Sequence, residues 1–236
     1  MIKKAYQEKN VGVIVGDGEV GRALWLVLVG KFPIYLFGKH NIREISEEVY
    51  CLHICFPYSK EFGKEVKKYQ KLYQPRFTVI HSTVPVGTSR KLKAIHSPVI
   101  GIHPFLDKSL TTFTKFLGGE KASEIADYFR RAGFRVYLFD KPETTELMKL
   151  LSTTHYGLEI EFVKEVKRLC GKYKVPFEAW TLWVENYNQG YEKLGFPEYK
   201  KPNLIPIMRK IGGHCVLPNC DLLDSKFADL IKKLNA

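Results

Sequence analysis

The sequence has no long hydrophobic segment, and this absence excludes an integral membrane protein. The longest apolar run covers residues 23–29, far short of the ~20 residues that a helix needs to cross a bilayer. The opening residues, Met1-Ile2-Lys3-Lys4, are not followed by the apolar region that a signal peptide requires. We therefore expect a protein that is not secreted.

Cysteine is scarce, with five residues in 236. An odd number of cysteines without a secretion signal argues against a disulfide framework and favours a reduced, cytoplasmic protein. Cys51, His53 and Cys55 alternate along a predicted strand and so share one face. A tetrahedral metal site needs a fourth ligand, and the nearby sequence offers none. We therefore predict buried thiols here and no metal.

Acidic residues are outnumbered, with 25 Asp and Glu against 37 Lys and Arg and a formal net charge of +12. This surplus favours acidic partners, which include phosphates and nucleic acids. The lysines are scattered, and none belongs to a basic and aromatic array on which bases could stack. Nucleic-acid binding is therefore the weaker prediction, and phosphates on small ligands are the stronger one.

The segment 11–24 carries the clearest motif. A short apolar run of β-forming residues leads into a Gly-x-Gly-x-x-Gly turn, and a helical pattern follows. In a dinucleotide-binding turn, Gly16 would allow the tight bend, Gly18 the approach of a pyrophosphate, and Gly21 close packing of helix on strand. The alternative is a structural glycine-rich turn. The predicted cofactor-binding residues here are Gly16, Asp17, Gly18, Glu19, Val20 and Gly21.

An acidic residue is missing where such a fold usually has one, at the end of the second strand, where it holds the ribose hydroxyls of NAD. The predicted strand 33–37 is followed by Gly38, Lys39 and His40, with Arg43 close by. A basic cluster suits a 2′-phosphate, so Lys39 joins the predicted cofactor site and the cofactor is NAD or NADP, with NADP favoured. The alternative is a solvated basic loop.

Strand and helix patterns then alternate as in a parallel, doubly wound sheet. Only about a dozen residues separate the second strand from the third, so the sheet is abbreviated. Pro57 and Ser82 follow the next two strands, and we include both in the cofactor site. We predict an α/β fold, an abbreviated Rossmann-type doubly wound parallel sheet over 1–140, followed by an all-helical region over 141–236. One further strand is predicted over 98–102.

Four segments together resemble the nucleotide-sugar dehydrogenases of the UDP-glucose and UDP-N-acetylmannosamine dehydrogenase type. The glycine turn resembles their opening fingerprint, and His81-Ser-Thr-Val-Pro-Val-Gly-Thr88 resembles their Ser-Thr-Val-Pro-x-Gly-Thr turn. The segment from Glu146 to Lys149 is similar to the start of their long central helix. Gly212-Gly-His-Cys215 is similar to their Gly-Gly-x-Cys motif.

The resemblance implies roles for three residues. In that family an alcohol is oxidised twice, and a cysteine thiolate captures the intermediate aldehyde as a thiohemiacetal. Cys215 would be this nucleophile, activated by a lowered pKa or a nearby base. Lys149 would stabilise developing oxyanion charge, and Thr83 would position water or the cofactor. The alternatives are an inert loop thiol and a solvated helix lysine.

The sequence departs from the family at several catalytic positions. Thr153 stands where the family has an Asn, and Asn219 stands where it has an Asp. The segment 103–106, His-Pro-Phe-Leu, replaces an Asn-Pro-Glu turn and carries no carboxylate. The family also has a third, C-terminal domain that helps to bind the nucleotide of the substrate, and we expect it to be lacking here. These departures put the full double oxidation in doubt.

Two functional hypotheses remain open. The first is an NAD(P)-dependent oxidoreductase acting on an alcohol, a sugar phosphate or a nucleotide sugar. The second is a catalytically degenerate dinucleotide- or nucleotide-binding protein of the same fold, with a regulatory or transferase role. Under either hypothesis we expect a homodimer through the long helix predicted over 144–170, since the family builds its dimer there. Leu158, Phe162 and Trp183 are the candidate interface residues, and packing within the monomer is the alternative.

Overall fold

A computed structural model describes residues 10–213 and 215–236. The chain divides into two compact units, Met1–Lys149 and Leu150–Ala236, and each is described by itself below. His214 of the Gly-Gly-His-Cys segment lies outside the described residues.

The first unit is built on a sheet with strand order β2-β1-β3-β4-β5-β6-β7. Neighbouring strands are parallel except β5 and β6, which are antiparallel. The prediction of a mostly parallel, doubly wound sheet is confirmed. Within the described residues the strands are β1 (Val11–Val15), β2 (Ile34–Phe37), β3 (Val49–Ile54), β4 (Phe77–Ile80), β5 (Ile95–His96), β6 (Lys115–Gly118) and β7 (Val136–Phe139).

Helices cover both faces of this sheet because successive strand residues point to opposite sides. Ile14 packs in a core that also contains Leu24 and Phe129 of two covering helices. Its neighbour Val13 packs in a second core with Phe62 on the other face. The helices of this unit are α1 (Glu19–Leu28), α2 (Phe62–Tyr73), α3 (Thr88–Lys91), α4 (Leu106–Thr112) and α5 (Ala122–Arg131).

The connection between β2 and β3 has the predicted short form. Residues 38–48 contain no helix, and the chain returns directly to pair β3 beside β1. The prediction of a strand over 98–102 is wrong, because the strand here is the shorter β5, which ends at His96 just before Pro98. Proline cannot donate a ladder hydrogen bond, which explains why pairing stops there. Strand β6 was not predicted.

The second unit is helical, as predicted. It contains most of α6 (Pro142–Tyr173), then α7 (Glu178–Lys193), α8 (Val216–Cys220) and α9 (Lys226–Leu234). Its small core joins Val216, Cys220 and Ile231. Gly157 of α6 lets α8 and α9 approach, because a side chain there would come within 2.7 Å of Val216. No helix in the described part of the chain is long and apolar enough to cross a membrane.

Candidate functional site

In the glycine turn after β1, neither Gly16 nor Gly21 has room for a side chain. Gly16 has φ +110°, and a Cβ there would lie 2.7 Å from the backbone of Cys55. A Cβ on Gly21 would overlap the carbonyl oxygen of Gly16. Helix α1 therefore sits directly on the end of β1, in the manner that the dinucleotide fingerprint requires.

Gly18 is different, because a Cβ there would meet nothing within 4 Å. It is the N-cap of α1, and no side chain caps the helix. The free N–H groups and the positive end of the helix dipole therefore face an open cradle that suits an anion. This arrangement fits the pyrophosphate of a dinucleotide. At the rim, His103 Nδ1 lies 3.0 Å from a carboxylate oxygen of Glu19.

The end of β2 lies beside the same turn. The carboxylate of Asp17 occupies the space into which a side chain on Gly38 would project, since a Cβ there would lie 2.7 Å from Asp17 Oδ1. The Arg22 Nε donates to the carbonyl oxygen of Asp17 at 2.6 Å. Lys39 and His40 are exposed in the turn after Gly38. A carboxylate therefore lies at the end of β2, although it belongs to the turn after β1.

The loops after β3 and β4 meet at the carboxyl edge of the sheet, where the parallel strands β1 to β5 end. The Ser82 hydroxyl donates to the carbonyl oxygen of Phe56 at 2.6 Å, next to exposed Pro57. The turn at Gly16 packs against the same backbone. Thr83 follows Ser82 and is half-buried. The predicted residues of the first unit after β1, β3 and β4 therefore share one edge.

Two buried side chains hold the turn that contains Ser82 and Thr83. The Glu146 carboxylate is fully buried and accepts the backbone N–H groups of Gly87 at 2.6 Å and Ser89 at 2.7 Å. His96 Nε2 lies 3.2 Å from the carbonyl oxygen of Ser82, so this nitrogen carries the proton. Burial lowers the pKa of His96 to about 3 and keeps the ring neutral.

These two holding residues were not predicted. Glu146 lies in a segment that was noticed for its neighbour Lys149, and the buried pairing with a turn 57 to 59 residues away has no local pattern. Lys149 itself is half-buried, and its ammonium donates to the carbonyl oxygen of Val99 at 3.0 Å, just beyond the end of β5. It therefore lies at the carboxyl edge with Ser82.

The remaining predicted residues belong to the second unit. Cys215 is an exposed free thiol at the start of α8. Asn219 is buried, and its amide donates to the hydroxyl of Thr153 on α6 at 3.2 Å. The two residues that depart from the family pattern are thus partners of one another. Neither titrates near neutral pH, so this pair cannot exchange a proton as a carboxylate could.

A buried polar cluster lies inside the first unit, and the sequence predicted only its thiols. Lys115 is 4% exposed, and its ammonium lies 3.4 Å from His81 Nδ1 and 5.5 Å from the centre of the Phe129 ring. His81 Nε2 lies 3.0 Å from His53 Nδ1, and His53 Nε2 lies 3.1 Å from the Tyr128 hydroxyl. Within the described residues, no group of three or more His, Cys, Asp or Glu could hold a metal ion.

Burial dominates the proton equilibria of this cluster. It lowers the pKa of Lys115 from 10.5 to about 7 and that of His53 to about 3. It raises the pKa of Cys55 to about 12 and that of Cys51 well above its ordinary value. The thiols and imidazoles are therefore neutral at pH 7, and Lys115 is the one member of the cluster that titrates there.

The comparisons with known proteins identify the fold. No family model matches the sequence, and no curated protein matches it. A solved UDP-D-ManNAc dehydrogenase from Pyrococcus horikoshii superposes with a TM-score of 0.78 at 15% identity, over 95% of this chain and 68% of that one. A UDP-glucose dehydrogenase from Pyrobaculum islandicum gives 0.71 at 14% identity, over 100% of this chain and 69% of that one.

A shorter enzyme also matches. The 3-hydroxyisobutyrate dehydrogenase of Mycobacterium tuberculosis superposes with a TM-score of 0.67 at 12% identity, over 94% of this chain and 91% of that one. The chain spans about two thirds of the length of the nucleotide-sugar dehydrogenases and most of the shorter enzyme. The resemblance stated from the motifs is confirmed at the level of fold.

Proposed function

We propose that the protein is an NAD(P)-dependent oxidoreductase that acts on an alcohol, with a sugar phosphate or nucleotide-linked sugar as its substrate class. The glycine turn carries this proposal. Gly16 and Gly21 are packed so closely that only glycine fits, whereas Gly18 leaves the N-terminus of α1 open. A structural turn would not need this open cradle, but a bound pyrophosphate would. The solved dehydrogenases that share the fold support the same conclusion.

The chain's own residues supply positioning and charge. A bound nicotinamide dinucleotide would accept a hydride from the substrate carbon. Lys149 at the carboxyl edge would stabilise the alkoxide oxygen from which that hydride leaves. Ser82, Thr83 and Pro57 would border the cofactor at the ends of β3 and β4. His96 and Glu146 would hold this border rigid through their hydrogen bonds to the turn.

A second oxidation at Cys215 extends the proposal. The thiolate would add to the aldehyde carbon to form a thiohemiacetal, and loss of hydride to oxidised cofactor would give a thioester. Water would then release the carboxylate and return the thiol, consuming two cofactors for the whole sequence. Replacing Cys215 with serine should stop carboxylate formation with a nucleotide-sugar substrate and spare the first oxidation. Unchanged carboxylate formation would remove Cys215 from the mechanism.

The pairing of Thr153 with Asn219 favours a second candidate function. The family has titratable acid–base chemistry at the second position, and here a satisfied amide pair replaces it. A nucleotide- or dinucleotide-binding protein with a regulatory or transferase role would keep the glycine turn and lose this group. A screen of phosphorylated and nucleotide-linked sugars, read by absorbance of reduced nicotinamide, separates the two functions: turnover supports the oxidoreductase, and binding without turnover supports the alternative.

Cofactor binding itself is tested by thermal unfolding. A ligand at 100 times its Kd stabilises the native state by about 2.7 kcal/mol, which raises Tm by roughly 5–10 °C in a chain of this size. We expect this rise with NAD or NADP and its loss in Gly18→Val, since a Cβ at Gly18 projects into the open cradle and meets nothing within 4 Å. No shift with either cofactor at millimolar concentration would refute the proposal.

We also propose a cytoplasmic homodimer that uses α6 and α7. Phe162 and Trp183 are 53% and 68% exposed, so a second copy would bury further ring surface there, whereas Leu158 packs on the core of the second unit. Light scattering coupled to size exclusion should give a mass near twice 27.2 kDa. A Phe162→Glu and Trp183→Glu variant should elute as a monomer, and a monomeric native protein would contradict the proposal.

A further inference from the structure

We infer that Asp17 takes over the binding of the adenosine ribose, and that the protein therefore selects NAD over NADP. This inference rests on the proposed function and identifies which dinucleotide the site accepts. It runs against the preference for NADP that the basic residues after β2 suggest. The geometry at the end of β2 carries it.

The first step concerns the end of β2, where the usual acidic side chain is missing. An acidic side chain at the end of the second strand normally bonds the ribose hydroxyls of NAD, and here that position is Gly38. Gly38 does not have the positive φ that demands glycine, so its backbone would accept a side chain. What excludes one is the Asp17 carboxylate, to which the three nearest atoms of a Cβ at this position all belong.

The second step concerns charge. Since the Asp17 carboxylate fills the space of the missing side chain, it presents two acceptor oxygens where the ribose diol would lie. A 2′-phosphate would bring up to two negative charges against it. Like charges at close range repel, and they repel more strongly near a protein surface than in bulk water. The carboxylate thus favours a free diol and rejects the phosphate.

The third step weighs the nearby cations. The Arg43 guanidinium lies over the Phe37 ring, 5.9 Å from the ring centre. The backbone carbonyl oxygen of Arg43 accepts a hydrogen bond from the Tyr73 hydroxyl. The Arg43 guanidinium therefore contacts the Phe37 ring, although the residue is exposed. Lys39 and His40 are exposed, and a solvated lysine gains little from an ion pair. Asp17 is exposed as well, but its carboxylate occupies the space of the Gly38 side chain, which is the position that bonds the ribose in an NAD site.

Titration calorimetry with NAD and with NADP tests the inference on the full chain. We expect the native protein to bind NAD at least about tenfold more tightly than NADP, a difference of about 1.4 kcal/mol. Asp17→Asn should abolish this preference, because it should weaken the binding of NAD and strengthen the binding of NADP. The double variant Asp17→Gly with Gly38→Asp moves the carboxylate to the usual position and should restore it, whereas Gly38→Asp alone crowds two carboxylates together and should bind neither cofactor well.

The outcomes separate the two claims. A native protein that binds neither dinucleotide contradicts the proposed function. A native protein that prefers NADP, or an Asp17→Asn variant that keeps the NAD preference, overturns the role of Asp17 and leaves the proposed function standing. The Lys39→Ala variant tests the opposing residue: a selective loss of NADP affinity there would make Lys39 the group that reads the 2′ position. Circular dichroism on each variant establishes that it is folded.

Discussion

Replacement of Lys115 by methionine should stabilise the protein, and the gain should depend on pH. Lys115 is buried at the start of β6 beside His81, with Phe129 and Phe134 around its ammonium. Among the described residues it forms no ion pair with a carboxylate. A buried ammonium without a counter-charge is costly, and methionine fills a similar volume without charge.

The magnitude follows from the pKa of Lys115, which burial lowers from 10.5 to about 7. Between these values the unfolded chain holds the proton and the folded protein does not, so the free energy of unfolding rises with pH through this window. Below pH 7 both states are protonated, and the folded protein bears the full cost. Each pKa unit corresponds to about 1.4 kcal/mol, which gives a cost of about 5 kcal/mol at low pH.

Urea unfolding at pH 6 and pH 9 measures this effect. The free energy of unfolding of the native protein should rise by about 2.5 kcal/mol relative to that of Lys115→Met between these two pH values. Lys93, an exposed lysine of the same unit, provides the control, and Lys93→Met should track the native protein. A difference between Lys115→Met and the native protein that stays constant from pH 6 to pH 9 would refute the reasoning.

Two further predictions concern the packing of the glycine turn and its border. Gly21→Ala should lower the free energy of unfolding, measured in urea, by several kcal/mol because its Cβ overlaps backbone. Gly18→Ala should change this free energy by less than about 0.5 kcal/mol. Equal stability of the two variants would contradict the close packing at Gly21. Glu146→Gln should cost about 1.5–3 kcal/mol, since a buried carboxylate loses an N–H bond. The matched control Glu143→Gln breaks only a partly exposed ion pair with Arg90 and should lower the free energy of unfolding by at most about 1 kcal/mol. A larger loss in this control would show that burial does not explain the effect at Glu146.

The fold was largely predictable because its signals are local. The glycine turn, the apolar runs and the short link between β2 and β3 each lie within about 15 residues. Strand β6 escaped prediction because it carries a buried lysine and pairs with β5 through a single residue position, His96 with Gly118. Strand β6 forms because the neighbouring strands pair with it, and the local sequence carries no pattern that would predict this pairing.

The site was predictable only where a motif fixes it. Gly16 and Gly21 are closely packed and Gly18 is open, in agreement with the motif, since each role depends on backbone within a few residues. Glu146 and His96 could not be predicted as holding residues, because each acts on a turn far away in sequence. The Asp17 carboxylate was recognised as part of the loop, but its position beside Gly38 depends on how β1 and β2 pair.

The departures from the family pattern are not spread evenly over the molecule. At the predicted ribose position after β2, where the usual acid is missing, a carboxylate from the adjoining turn occupies the space of its side chain. At the acid–base position, the two replaced residues bond to one another and leave no titratable group. The carboxylate at the predicted ribose position and the neutral pair at the acid–base position together favour dinucleotide binding over the second oxidation as the proposed role. A two-electron alcohol oxidation, which needs Lys149 but no carboxylate beside Cys215, is the chemistry that this pattern favours.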